Sequence, residues 1–255
     1  MKIALAQTNI KWEDKNKNIE EAEKIIEKCA SNKIDLVLFP EMSFTGFSMN
    51  TQITRESDSF TINSITNFAI NNAINIGFGW VEKVGEKCKN RYTIIDKTGK
   101  IVSSYAKIHP FSYSGEDLKF VGGEEVSIFE IDNINFSNFV CYDLRFPELF
   151  RAVAEKVHAI ILPACWPAKR SEHWKTLLRA RAIENQVYIF AINCVGVIGG
   201  LNYSGDSCVI NPNGEILDMI SDKEGLVIYK FIDDVIEYRN NFPVLNDRKK
   251  FFLEP

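Results

Sequence analysis

The sequence predicts an α/β fold in which two mixed β-sheets are flanked by helices. Three observations carry this expectation. Strand-like and helix-like runs alternate along the 255 residues. Hairpins are interleaved with crossover helices, so the chain is neither a strict β-α repeat nor all-β. No Gly/Ser/Pro-rich linker and no internal repeat divides it, so one domain over residues 1–255 is expected.

The elements follow in order. Lys2–Gln7 reads as a buried strand; its apolar run is too short for the core of a signal peptide. Asn16–Ser31 has helical periodicity, with Ile19, Ala22, Ile25, Ile26 and Cys29 on one face. Asp35–Phe39 is a short apolar strand stopped by Pro40, and Ser57–Ala73 a second helix. Ile76–Val81 is a strand whose Gly77 and Gly79 suggest close backbone packing. Arg91–Ile95 and Lys100–Tyr105 form a hairpin around Lys97-Thr98-Gly99; Val126–Ile131 and Asn135–Val140 form another. Pro147–Val157 and Ser171–Asn185 are helices on either side of the strand His158–Leu162. Tyr188–Cys194, Ser207–Asn211, Glu215–Ile220 and Gly225–Phe231 are strands, with Asn211-Pro212-Asn213-Gly214 a strong turn. The tail from Asn240 to Pro255 is expected to be extended; its Phe251-Phe252 pair could fold back or dock on a partner subunit.

Composition narrows the function. Hydrophobic residues make up 45% and charged residues 25%, ordinary values for a soluble globular protein. The net charge of -4 argues against a nucleic-acid footprint, which needs a basic face. No stretch approaches the roughly 20 apolar residues of a membrane span. The six cysteines include no Cys-x-x-Cys pair and do not read as a disulfide framework, so a cytoplasmic location with reduced thiols is expected. His109, His158 and His173 lack metal-ligand spacing, and Gly77-x-Gly79 lacks the rest of a dinucleotide fingerprint.

Chemistry is concentrated where strands end. Leu36–Pro40 leads into Glu41, Val102–Ala106 into Lys107, and Phe136–Val140 into Cys141. In α/β folds such strand ends face a shared crevice. A carboxylate could take the thiol proton and later return it to a leaving amine, and a Lys⁺ would stabilise both thiolate and oxyanion. The sharp turn after Cys141 puts the Tyr142 backbone N–H beside the thiol as a further oxyanion donor. Taken singly, each residue also has a plain structural reading: Glu41 as a solvated or capping carboxylate, Lys107 as a surface charge, Cys141 as a small core residue.

Phe39-Pro40-Glu41-Met42, Lys107-Ile108-His109 and Val140-Cys141-Tyr142-Asp143-Leu144-Arg145-Phe146-Pro147-Glu148 resemble, in order, the three signatures of the nitrilase superfamily of carbon–nitrogen hydrolases. Further similar stretches run from Ile3–Gln7 through Leu162–Ala164 and Arg179–Asn185 to Asn211–Glu215, so the resemblance covers most of the chain. It implies an α-β-β-α sandwich and a Glu-Lys-Cys triad that works without metal or organic cofactor. Glu41 would be the general base, Lys107 the oxyanion stabiliser and Cys141 the nucleophile that forms a thioester. Glu116 is the best match to a second glutamate that orients the lysine, with a loop surface charge as its plain reading.

Within that superfamily the stretches Pro40–Met49 and Trp166–Trp174 are similar to the omega-amidase branch, which implies 2-oxoglutaramate or another monoamide of a dicarboxylic acid as substrate. Phe44, Phe47, Trp166 and Trp174 would then be pocket walls, although large aromatics are as often plain core. Arg145 and Arg170 are candidates for reading a substrate carboxylate; an Arg145–Glu148 ion pair and a solvated face are their plain readings. Cys165 follows a strand motif close to the site, so its oxidation could touch activity, with a buried inert thiol as the commoner reading. The resemblance also implies a homodimer built partly by Ser171–Asn185. Other readings are an N-carbamoyl amine or deaminated glutathione amidase with the same triad, a non-catalytic scaffold, or a thiol redox sensor. The last has no resolving cysteine evident nearby in sequence.

Overall fold

A computed structural model describes residues 1–249. Two mixed seven-stranded sheets lie face to face. The first has the order β14 (Gly225–Lys230), β1 (Lys2–Gln7), β2 (Leu36–Leu38), β4 (Asn75–Val84), β5 (Lys87–Ile95) and β6 (Ile101–Ala106), with β3 (Arg55–Glu56) beside β4. The second has the order β11 (Val195–Ile198), β12 (Leu201–Ile210), β10 (Tyr188–Asn193), β9 (Ala159–Ala164), β8 (Ile134–Asn138) and β7 (Ile128–Ile131), with β13 (Ile216–Ser221) beside β12. Helices α1 (Lys15–Ser31) and α3 (Phe60–Asn72) belong to the first sheet's half; α5 (Pro147–Val153) and α6 (Ser171–Asn185) cover the second. Four-residue helices α2 (Thr51–Thr54) and α4 (Glu116–Lys119) sit in connections, and α7 (Val235–Asn241) follows the last strand. This is the expected α-β-β-α sandwich.

The period of two in a strand explains the layering. In β1, Ile3 and Leu5 face the second sheet, while Ala4 and Ala6 face the helices with Ile19, Ala22 and Ile26 of α1. Leu36 and Leu38 of β2 join the inner core, and Val37 the helix layer. Parallel pairing of β1 with β2, β2 with β4, β8 with β9, and β9 with β10 sends these chains in a common direction. This common direction holds within each sheet, and the loops after β2 and β9 meet at one end of the sandwich, where the Cys165 N–H donates to Glu41.

The expected hairpins are present, as is the turn at Asn211, whose side chain accepts from the N–H groups of Asn213 and Glu215. Gly79 justifies its residue type: a Cβ there would sit 2.4 Å from the Met42 backbone nitrogen. Strand β11 was not anticipated, because it is four residues long, contains Gly196 and turns back through Gly199-Gly200. The extended tail needs correction. Asn240 and Asn241 end α7, and Val244–Asp247 form a 3-10 turn that buries Leu245. Arg239 donates to carbonyls of Gln186, Ala154 and Val157, tying this segment down. Phe251-Phe252 lies outside the described residues.

Candidate active site

Glu41, Lys107 and Cys141 each lie within three residues of the end of β2, β6 or β8, and the structure brings them together in one buried cluster. Lys107 Nζ donates to Glu41 Oε1 at 2.9 Å and to Glu116 Oε2 at 2.8 Å. Glu41 and Glu116 are fully buried and Lys107 is 1% exposed, so their plain surface readings do not hold. Glu116 begins α4, and its Oε2 also accepts from the Phe111 N–H at 2.6 Å. The second glutamate is thus clamped to the lysine from a loop whose sequence matched the family pattern most loosely.

Cys141 opens a 3-10 turn, Cys141–Arg145, with a left-handed φ of 48°, costly for a residue with a Cβ. Asp143 closes this turn: its carboxylate accepts from the Val140 N–H at 3.1 Å, from Tyr105 Oη at 2.8 Å and from the His109 N–H at 3.0 Å. Arg181, buried in α6, donates twice to the Leu144 carbonyl. The thiol is therefore presented from an elbow fixed on two sides, with the Tyr142 N–H next to it at the start of the turn.

Burial pushes the Cys141 thiol well above its ordinary range, and the charge of Glu41 pushes it further; Lys107 and the Cys165 N–H act against them. The resting nucleophile is thus a thiol. Burial opposes the charge on Lys107, but Glu116, Glu41 and Cys141 outweigh it and hold the ammonium well above its usual range. Lys107 stays charged through the neutral range.

Cys141 and Lys107 of the cluster reach the floor of a cleft of about 360 Å³, with Glu41 and Glu116 buried beneath it. Phe47, Trp166, Tyr142 and Phe111 supply apolar walls, and Cys141, Cys165 and Lys107 reach it from below. Its cations are Lys107, Arg145, Lys169 and Arg170, and no carboxylate is among its described lining residues. The Arg145 guanidinium lies 4.8 Å from the Trp166 ring centre and 3.2 Å from His173 Nδ1; the expected alternative partner, Glu148, is exposed and does not hold it. Arg170 lies over Phe111 at 5.4 Å, while its carbonyl accepts from Trp166 Nε1. Two expected walls are corrected. Phe44 packs with Phe39 and Phe78 under the α1–α3 layer, because its position after Ser43 turns it into the core. Trp174 is fully buried behind Trp166, with its indole N–H on the Asp206 carbonyl.

Sequence reading did not single out Asn90, Asn193, Phe111 or Lys169. Asn90 of β5 donates to both glutamates. Asn193 of β10 accepts from the Trp166 N–H and donates to the Trp166 carbonyl, fixing the wall. Lys169 joins the cationic rim. Lys169 lies within the stretch Trp166–Trp174 expected to line the pocket; the asparagines carried no local signal. Cys165, just after β9, donates its N–H to Glu41 Oε2 at 2.9 Å and its thiol to the Glu41 carbonyl at 3.2 Å. Among the described residues no group of His, Cys, Asp or Glu is arranged to hold a metal, and no helix is long and apolar enough to cross a membrane.

A thiol, an ammonium and carboxylates at the strand ends of an α-β-β-α sandwich define a class of hydrolase that opens C–N bonds through cysteine. The chain belongs to the carbon-nitrogen hydrolase family, whose model matches residues 2–240. It is 34% identical over 253 residues to a 2-oxoglutaramate amidase of Bacillus subtilis (strain 168), covering 97% of each chain. It is 33% identical over 256 residues to the omega-amidase YafV of Escherichia coli (strain K12), covering 99% of this chain and 98% of that one. Among solved structures it is similar to XC1258 from Xanthomonas campestris, described as a CN-hydrolase superfamily protein with an arsenic adduct in the active site. The TM-score is 0.93 at 31% identity, over 100% of this chain and 99% of that chain.

Proposed function

We propose that this enzyme hydrolyses the amide of a small dicarboxylic acid monoamide, such as 2-oxoglutaramate, to the acid and ammonia. The observation that carries the reading is the charge of the cleft: a thiol on its floor, cations on its rim and no carboxylate among its described lining residues. A substrate acid group is welcome there, while the amide can reach Cys141. The names of the two curated relatives support the same substrate class.

Each step uses a group already in place. Glu41 takes the Cys141 proton as sulfur attacks the amide carbon. The net charge of the Glu41–Lys107–Glu116–Cys141 cluster does not change in that transfer, so no new charge has to be buried. Lys107 and the Tyr142 N–H hold the oxyanion. Glu41 returns the proton to the departing ammonia, leaving a thioester; it then activates water, which releases the acid. Glu116 holds Lys107 toward the site. Arg145 and Arg170 receive the substrate carboxylate, with Trp166 as the surface on which Arg145 rests. The whole chain acts as one domain, working in the cytoplasm as a homodimer.

The test is ammonia release from 2-oxoglutaramate, succinamate, glutamine and an N-carbamoyl amine, with Cys141→Ala as control. Turnover of the monoamides is expected. Turnover of the carbamoyl amine alone would remove the substrate assignment and leave the chemistry.

A further inference from the structure

The buried cluster holds two carboxylates around one ammonium, an excess of one negative charge when the thiol is protonated. Such an excess persists in a dry interior only where neutral N–H groups solvate it. Two backbone groups contribute: Phe111 to Glu116 and Cys165 to Glu41. The side chain that serves both carboxylates is Asn90, 2% exposed in β5. Its Nδ2 donates to Glu41 Oε1 at 2.8 Å and to Glu116 Oε1 at 3.0 Å. Lys107 also donates to both glutamates, so Glu41, Lys107, Glu116 and Asn90 form a closed ring.

We propose that Asn90 is a positioning residue that aims Glu41 at the Cys141 thiol. Its N–H and the Lys107 N–H both go to Glu41 Oε1. Oε2, bonded to the Cys165 N–H, is the oxygen without a side-chain donor on it from this ring. The carboxylate is thereby fixed in rotation with that oxygen available to the thiol proton. The amide can serve only in this orientation, since its carbonyl would repel both carboxylates if the group were reversed. Its Oδ1 is buried without a hydrogen-bond partner among the described residues. The Asn90 carbonyl also accepts from the Lys107 backbone N–H at 2.9 Å, so one residue registers base and lysine together.

This rests on the reading of Glu41, Lys107 and Cys141 given above. The experiment compares kcat, KM and the pH profile of kcat/KM for wild type, Asn90→Ser and Asn90→Asp, with the melting temperature of each, on the best monoamide substrate. Asn90→Ser keeps a small donor and is the variant expected to fold; its kcat should fall by about 100-fold, the cost typical of a misplaced catalytic group, with KM within about threefold. The acid limb of its profile should move to higher pH, because a carboxylate that loses donors holds a proton more readily. Asn90→Asp, with a third carboxylate in the ring, should lose more. A purely structural role would lower the melting temperature and leave the kcat of the folded fraction and the profile unmoved; that result overturns the proposal. A wild-type enzyme that hydrolyses none of the amides marks failure of the underlying reading instead.

Discussion

Asp143 holds His109 at two points, accepting from its backbone N–H at 3.0 Å and meeting its Nδ1 at 2.9 Å. One residue lies two past the thiol and the other two past the lysine. The same carboxylate takes Tyr105 Oη from β6, so the Cys141 turn and the Lys107 strand are latched by one buried acid. The His109 ring also stacks on Phe146 at 3.6 Å, closing the latch from the far side of the turn.

Removing that latch should cost both stability and rate. Asp143→Ala leaves the Tyr105 hydroxyl and the Val140 N–H without their acceptor, and we expect a loss of about 3 kcal/mol or more in denaturant unfolding. Asp143→Asn keeps the size and part of the acceptor capacity, so its loss should be smaller. Equal stability of wild type and Asp143→Ala would refute the latch.

Glu41→Gln should abolish turnover while making the thiol easier to ionise. Glu41 raises the Cys141 pKa by charge and hydrogen bonding, and Lys107 lowers it. With Glu41 neutralised, only the lowering influence of Lys107 remains between those two. The pH at which iodoacetamide begins to alkylate Cys141 should therefore fall in Glu41→Gln and rise in Lys107→Gln. Alkylation profiles of the two variants that coincide with wild type would contradict the electrostatic account.

The cationic rim predicts discrimination by charge. Arg170→Ala and Arg145→Ala should raise KM for succinamate by about tenfold or more, the value of a charge-assisted hydrogen bond. A neutral amide of similar length should be little affected. A uniform loss on both substrates would assign the arginines to the fold.

Alkaline pH should weaken the fold through its buried thiols. Burial pushes Cys29 from its ordinary value of 9.0 up to about 11, and Cys208 up to about 12. Above pH 9 the unfolded chain sheds these protons while the folded chain keeps them, so stability is full below that pH and declines as pH rises toward the folded values. Cys29 alone accounts for about 3 kcal/mol over that window. Unfolding measured from pH 8 to pH 11 should decline less steeply in Cys29→Ala.

Much of this was legible in the sequence because it is local. Short continuous apolar runs marked Lys2–Gln7 and Tyr188–Cys194, and strand ends carried Glu41, Lys107 and Cys141 in their own signatures. What escaped is non-local. Asn90 stands one residue before the strand read from Arg91, and nothing adjacent shows that two glutamates will converge on it. Phe44 and Trp174 lie in stretches that do build the site, but which aromatic faces the cleft depends on loop geometry. Phe47 and Trp166 turn toward it, while Phe44 and Trp174 turn away.

The central claim is that amide hydrolysis passes through an acyl group on the Cys141 sulfur. Acid-quenched single turnover on succinamate, read by intact-protein mass and ammonia release together, tests it most directly. We predict a transient adduct of one acyl group, mapped to Cys141, that appears with ammonia and decays as succinate is released, and neither adduct nor ammonia from Cys141→Ala. Ammonia release by Cys141→Ala at the wild-type rate would contradict the account.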